Sequence, residues 1–220
     1  LLQHCRSSVE LHFAGKRAGC RGATQAEINA LLVALGSAGK KTVRLKGGDP
    51  LIFGRAGEEL QALREAGIPY AIVPGVTAAT AASAAAGLSL THRDQASAVV
   101  FVTGHQCAGT GSTLDWALFA QLRATLCFYM GVRRLPEIAA NLIHHGMAAD
   151  MPIALISEAS WPTQKISYST LAEACALGAG IAGSPALIIV GAVVGQAAFA
   201  AELPRLQAGA RQNFPAYALG

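Results

Sequence analysis

A glycine-rich turn near residue 48 carries the residue types best suited to binding a small molecule. The run Gly47-Gly48-Asp49-Pro50 follows a short apolar segment at 42–45 and precedes a polar stretch with helical spacing. Open α/β sheets bind ligands at such turns, at the carboxyl ends of strands. Glycine lets backbone amides approach a ligand because no Cβ intervenes, and Asp49 adds a fixed acceptor. The pattern predicts a binding loop, although a tight turn without a ligand fits the same residues.

Basic side chains accompany this turn. Arg44 and Lys46 precede it, Arg55 follows it, and Arg93 begins a later segment. Guanidinium groups pair bidentately with carboxylates, so we expect Arg44, Arg55 and Arg93 to bind a substrate that carries several carboxylates. Solvation of a strand edge is the alternative for each residue taken singly.

Other kinds of chemistry find little support in the sequence. The five cysteines are scattered, and no pair or Cys/His cluster has metal-ligand spacing. No nucleophile elbow and no G-x-G-x-x-G loop is present. The net charge of +4 is modest and no nucleic-acid motif occurs, while no apolar run approaches the ~20 residues of a membrane span. We therefore expect no metal, no nucleic acid and no membrane as partners.

Strand and helix patterns alternate along the chain. Apolar and β-branched runs predict strands at 9–13, 42–45, 70–73, 97–103, 125–129, 152–156, 166–169 and 186–190. Helices are expected after Thr24, which has a capping-box partner in Glu27, and at 58–66, 76–86, 136–145, 170–177 and beyond 190. This alternation predicts an α/β protein with one sheet in each half. The run 97–103 is typical of a strand buried on both faces.

A glycine- and serine-rich segment, residues 104–112, is the best candidate for a linker. It predicts an N-terminal α/β domain at 1–106 and a C-terminal α/β domain at 112–220.

The whole stretch R-L-K-G-G-D-P-L-I-F-G-R-A-G-E-E resembles the signature of the uroporphyrinogen-III C-methyltransferases, which belong to the tetrapyrrole methylases. Further matches occur in that family's order: AGKRAG, VPGVTAATAASAAAGLSLTHRD, FVTGH, FYMG and SPALIIVG. The resemblance covers nearly the whole chain. It implies a class III-type methyltransferase with two α/β domains and S-adenosylmethionine in the cleft between them. It also implies two methyl transfers to uroporphyrinogen III, giving precorrin-2 for siroheme or cobalamin biosynthesis, by a cytoplasmic homodimer.

The same resemblance implies roles for particular residues. Lys16, in the G-K-R motif, takes the position of a catalytic proton donor. Contacts to S-adenosylmethionine are implied for Gly47, Gly48, Asp49, Ile52, Thr77, Ala78, Met130, Ala159 and Ala186. Small residues at strand ends leave room for the nucleoside, and a methionine offers an apolar, polarisable wall. Taken alone, Met130 fits a core position and Thr77 a helix cap.

Two features of the family are missing from the sequence. A glycine-rich loop of the G-A-G-P-G-D kind, and the Tyr-Asp-Arg segment whose aspartate is assigned as a base, lie in the family just before the point where this chain begins. The chain is therefore expected to be an N-terminally incomplete member. The alternatives are another precorrin methyltransferase, or a truncated fragment that binds ligand without turnover; a nucleic-acid-binding module is third.

Overall fold

The chain folds into two units, the first unit Leu1–Val76 and the second unit Thr77–Gly220. The structure is a computed structural model and describes residues 5–15, 22–104, 114–174 and 184–202. Each unit is built on its own pattern of elements.

Two helices form the ordered centre of the first unit. Helix α1 (Gln25–Ser37) begins at the predicted capping box, in which Thr24 Oγ1 accepts from Glu27 N at 3.2 Å and Thr24 N donates to Glu27 Oε2 at 2.6 Å. Both bonds satisfy amide groups that the first turn of a helix leaves unpaired. Helix α2 (Ala56–Glu65) packs against α1.

The three strands expected in the first unit, at 9–13, 42–45 and 70–73, are wrong as strands. These segments have no regular secondary structure, and among the described residues before Ala98 no strand is formed. Their apolar side chains are not buried either, and Val43 and Val73 are each 82% exposed. A strand is stable when its backbone groups are paired and one face is covered, and neither condition holds here.

The second unit contains a five-stranded mixed sheet. Its strands are β1 (Ala98–Thr103), β2 (Ala124–Tyr129), β3 (Pro152–Ser157), β4 (Lys165–Thr170) and β5 (Ala186–Val190), in the order β1-β2-β5-β3-β4. Strand β1 is parallel to β2, and every other neighbouring pair is antiparallel. The strands predicted for this half of the chain are confirmed.

Helices cover both faces of this sheet. One face packs against α5 (Leu135–His144), with α4 (Trp116–Gln121) beside it, and buries Leu126, Phe128, Leu155 and Ile188. The other packs against α3 (Ala78–Ala86) and α6 (Val193–Glu202) and buries Cys127, Ala154, Ile156 and Ile189. Because successive strand residues point to opposite faces, continuous apolar runs serve both cores.

Strand β1 is the exception, and the expectation that residues 97–103 are buried on both faces is wrong. It lies at the edge of the sheet with β2 as its one partner, and only Val102 is fully buried. Its pairing to β2 places it in the second unit, whereas the predicted first domain ran to residue 106. Apart from Gly104, the predicted linker at 104–112 lies outside the described residues, so the boundary at 106–112 stays a prediction.

Candidate active site

The glycine turn of the first unit is held open by its own aspartate. We call residues 47–49 the Gly47 loop. Asp49 Oδ1 accepts from the Leu51 amide at 2.8 Å and Oδ2 from the Gly75 amide at 3.1 Å. The Gly75 hydrogen bond, and then that of Leu51, lowers the pKa of Asp49 because both stabilise the carboxylate form. The aspartate therefore shapes the loop as an ionised acceptor.

Both glycines of the Gly47 loop present bare backbone. Gly48 has φ of +78°, a region that favours glycine, and a Cβ at Gly47 would meet no atom of the described residues within 4 Å. On the opposite side, a Cβ on Gly75 would lie 2.4 Å from the Gly48 carbonyl oxygen, so only glycine fits there. The loop is therefore in close contact with the backbone at Gly75, while the described residues leave space beside Gly47, as a backbone-binding site requires. Ile52, which was predicted to contact the cofactor, is exposed just beyond it.

Sequence reasoning missed a buried carboxylate next to this loop. Glu59 is among the buried residues of α2, and its Oε1 accepts from Lys46 Nζ at 2.8 Å, Arg44 Nε at 3.3 Å and Gln25 Nε2 at 3.3 Å. Burial, the largest influence, raises the pKa of Glu59, but the bonds from Lys46 and Gln25 and the charges of Lys46 and Arg44 outweigh it. The pKa therefore lies below its ordinary value. A signal did exist, because Glu59 lies three residues after Ala56 on the buried stripe of α2.

The three arginines predicted to bind substrate have different surroundings. Arg44 donates to Glu59 and, through Nη1, to the Leu45 carbonyl at 3.1 Å. Arg55 is exposed and forms a bidentate pair with Glu58, with both bonds at 2.7 Å. Arg93 is exposed in the turn between His92 and Ala96, in the second unit. Arg44 and Arg55 flank the Gly47 loop as expected, and Arg44 is tied into a structural network.

The predicted cofactor residues of the second unit meet at one edge of its sheet. Tyr129 is paired with Leu187, and Ser157 with Ala186. The residues that follow β2 and β3, Met130 and 158–160, therefore lie at the same edge as Ala186, and we call this the Met130 edge. The sequence placed these positions in three separate motifs, and the sheet register brings them together.

The backbone at the Met130 edge is unusual. Met130, Glu158 and Ser160 all have positive φ values of 55°, 49° and 70°, a region that non-glycine residues seldom adopt. Such conformations cluster at ligand-binding sites. Met130 is 58% exposed, so the alternative of a core methionine is wrong, and its thioether side chain is available to a ligand.

Helix α3 begins at this edge because of a second group that sequence reasoning missed, the Tyr129 hydroxyl. It shares a 2.7 Å hydrogen bond with Thr77 Oγ1 and accepts from the Ala79 amide at 2.9 Å. Thr77 is the N-cap of α3, but its side chain makes no capping bond. Tyr129 thus links the Thr77-Ala78 pair to the end of β2.

The remaining predictions concern Lys16, a metal site, a membrane-spanning helix and the cysteines. Lys16 lies outside the described residues, so its role stays a prediction. Among the residues the structure describes, no group of three or more His, Cys, Asp or Glu side chains could hold a metal ion. In the same residues, no helix has the length and apolar character needed to cross a membrane. Burial raises the pKa of Cys127 to about 12, which keeps its thiol protonated.

Solved structures define the class of this fold. The chain is 38% identical to a uroporphyrin-III C-methyltransferase from Thermus thermophilus in complex with S-adenyl homocysteine, with a TM-score of 0.68 over 80% of this chain and 76% of that one. A cobalt precorrin-4 methyltransferase is 25% identical, with a TM-score of 0.71 over 79% and 73%. The predicted α/β class III-type methyltransferase fold is confirmed.

A comparison of the sequence with models of protein families identifies the family. Residues 1–175 match the model of the tetrapyrrole (corrin/porphyrin) methylases, and the chain belongs to this family of methyltransferases. It is also 51% identical over 190 residues to a siroheme synthase of Klebsiella pneumoniae, an alignment that covers 86% of this chain and 41% of the relative. The chain thus spans about two fifths of the length of the curated relatives it matches.

Proposed function

We propose that the protein transfers methyl groups from S-adenosylmethionine to uroporphyrinogen III, twice, to give precorrin-2. The observation that carries this proposal is the Gly47 loop, whose open backbone and fixed carboxylate match the signature of that family. The likeness to the Thermus thermophilus enzyme supports the same choice over a general tetrapyrrole methylase. Siroheme synthesis is the proposed context, because the 51% identical relative bears that name.

The residues present fit a nucleoside-bearing methyl donor. Bare backbone at Gly47 and Gly48 suits hydrogen bonding to ribose or amino-acid groups, and small side chains at Ala159 and Ala186 leave room at the Met130 edge. We propose the nine positions expected from the sequence as its contacts. When bound, S-adenosylmethionine would supply an electrophilic methyl group to an electron-rich carbon of the substrate and would leave as S-adenosylhomocysteine, so that the protein would need no nucleophile of its own.

The protein's own residues would align, shield and manage protons. Alignment of the methyl group with the ring carbon is the main source of rate. Arg55 and Arg93 are proposed to bind carboxylates of the substrate. Arg44 stays a candidate for this role, although two of its nitrogens already donate within the first unit. Lys16 is proposed as the proton donor. A cytoplasmic homodimer completes the proposal.

Calorimetric titration with S-adenosylhomocysteine, together with turnover of uroporphyrinogen III, tests this function. We expect binding and two methyl additions. Binding without turnover would instead favour a ligand-binding fragment. No binding by a folded sample would contradict the proposal.

Two glycines of the first unit make a matched pair of variants. Gly48 and Gly39 have φ of +78° and +71°. Among the described residues, a Cβ at Gly48 would contact the Val76 carbonyl oxygen at 3.8 Å, and a Cβ at Gly39 would meet no atom within 4 Å. Alanine in this region strains each by a similar ~1–2 kcal/mol. We expect Gly48→Ala to weaken S-adenosylhomocysteine binding by about tenfold, which is a loss of about 1.4 kcal/mol in binding free energy. Gly39→Ala should bind like the wild type. Equal affinities would remove the Gly47 loop from the site.

Another precorrin methyltransferase activity is the second candidate. The structural likeness to a cobalt precorrin-4 methyltransferase, whose TM-score of 0.71 is as high as that of the uroporphyrin-III enzyme, favours it. A substrate panel separates the two. Preference for a methylated corrin precursor over uroporphyrinogen III would replace the first proposal by this one.

A further inference from the structure

Glu59 is a buried acid that no predicted role explains. Its side chain is 5% exposed, and three donors converge on Oε1: the Lys46 ammonium, the Arg44 guanidinium and the Gln25 amide. Burying a carboxylate is unfavourable unless it is paired and hydrogen-bonded. A helix position of this kind more commonly holds an apolar residue, so the acid calls for a reason beyond packing of α2 on α1.

The contacts of Glu59 lead directly to the Gly47 loop. The Lys46 side chain is only 11% exposed and its ammonium lies 2.8 Å from Glu59 Oε1. Lys46 immediately precedes two glycines, which have the greatest conformational freedom of any residue. At the other end of the loop, Asp49 accepts from the Gly75 amide at 3.1 Å. The loop is therefore anchored at both ends by a carboxylate, Glu59 before it and Asp49 within it.

We propose that Glu59 is a positioning residue, which fixes the backbone of Gly47 and Gly48 for ligand binding by holding Lys46 from helix α2. The inference rests on the proposed function for the identity of the ligand. Arg44 provides a second positive charge to the same oxygen, which helps to compensate for the burial of the carboxylate. Glu59 touches no substrate and takes no chemical step.

A charge-neutral variant tests this role in the full chain. Glu59→Gln keeps the size of the side chain but removes the charge that attracts Lys46. We expect its Kd for S-adenosylhomocysteine to rise by roughly tenfold, which corresponds to about 1.4 kcal/mol, the order of one hydrogen bond to a charged group. Glu65→Gln is the matched control, because Glu65 lies on the same helix, is exposed and bonds only to Gln61 among the described contacts; its affinity should be unchanged.

A double-mutant cycle separates positioning from general stability. Lys46→Met removes the same contact from its other end, so the double variant Lys46→Met/Glu59→Gln should bind about as weakly as either single variant. If the fold-change in Kd of the double variant equals the product of the two single fold-changes, the two residues act separately and the proposal is overturned. If Glu59→Gln fails to fold, Lys46→Met decides by itself, and a wild-type Kd in that variant also overturns it.

The amide resonances of Gly47 and Gly48 give a readout that needs no ligand. We expect both to move in Glu59→Gln and to stay in place in Glu65→Gln. Should the wild type bind no S-adenosylhomocysteine, the proposed function fails and these resonances still decide the positioning role. Unmoved Gly47 and Gly48 signals in a folded Glu59→Gln sample would contradict it.

Discussion

The two units of this protein use different means of stabilisation. In the second unit, the strands β2, β3 and β5 are buried on both faces, and Phe128, Leu126 and Ile188 have no exposed surface. In the described part of the first unit, Ile28 and Ala56 are the buried apolar residues, and the best-connected buried group is the charged Glu59. Most of the large exposed apolar side chains belong to the first unit, Phe13, Val43 and Val73 among them.

This difference shows what a strand-like sequence requires before it becomes a strand. Residues 42–45 and 70–73 contain Thr, Val and Ile, β-branched residues that also occur in the strands of the second unit. In that sheet β5 has a partner on each side, and its amides and carbonyls are paired with β2 and β3. Residues 42–45 and 70–73 have no such neighbours within the described residues. A β-branched composition favours a strand, and pairing with burial makes the strand stable.

Hydrogen exchange offers the largest test of this contrast. Backbone amides of β2 and β5 should exchange slower than those of residues 42–45 and 70–73 by several orders of magnitude, because paired core strands open only in large unfolding events. Amide exchange followed by NMR or mass spectrometry measures this. Comparable protection in the two groups would show that residues 42–45 and 70–73 are hydrogen-bonded in solution.

Truncating one phenylalanine in each unit measures the difference in burial as a change in the free energy of unfolding. Phe128 is completely buried and stacks on Trp116, with ring centroids 6.2 Å apart, whereas Phe13 is 68% exposed. We expect Phe128→Ala to lower the free energy of unfolding by about 3–5 kcal/mol and Phe13→Ala to change it by no more than about 0.5 kcal/mol. Urea titrations of both variants give the values. A cost above ~2 kcal/mol for Phe13→Ala would mean that this ring is covered in solution.

Two tyrosine hydroxyls sharpen the comparison further. The Tyr129 hydroxyl accepts from the buried Ala79 amide, so Tyr129→Phe leaves that donor unpaired and should cost about 1–3 kcal/mol. Tyr70 bonds to Arg64 Nε at 2.7 Å on the surface of the first unit, where water can replace it. We expect Tyr70→Phe to stay within about 0.5 kcal/mol. Thermal and urea unfolding of the pair provides the measurement, and equal losses would contradict the assignment.

Local signals in the sequence account for what was predicted. The capping box of Thr24 and Glu27 depends on four consecutive residues, and the structure contains both of its hydrogen bonds. The strands β2, β3 and β5 were predicted because a short β-branched or apolar run bounded by turn residues is typical of a buried strand. The Gly47 loop was found for the same reason, since its glycines and aspartate lie side by side in the chain.

The features that were missed depend on contacts across long sequence distances. Glu59 accepts a hydrogen bond from Gln25, which is 34 residues away in the sequence, and the Tyr129 hydroxyl is hydrogen-bonded to Thr77, which is 52 residues away. No window of the sequence contains both partners of such a bond. The strands wrongly predicted for the first unit are a failure of the same kind, because a strand prediction concerns one segment and a sheet requires two.

The smallest effect we predict concerns the pH dependence of the Gly47 loop. The Gly75 amide and then the Leu51 amide lower the pKa of Asp49, so the carboxylate form is favoured in the folded state. A group with a depressed folded pKa contributes stability above its unfolded value, about 3.9 for aspartate, and loses that contribution as the pH falls through the folded value. The Gly75 amide resonance should therefore stay constant from pH 7 to about pH 4 and shift only in more acidic solution.

In Asp49→Asn the same resonance should not titrate at all, because an amide side chain accepts the bond without ionising. A Gly75 midpoint at or above about pH 4 in the wild type would mean that Asp49 does not hold this loop as an ionised acceptor.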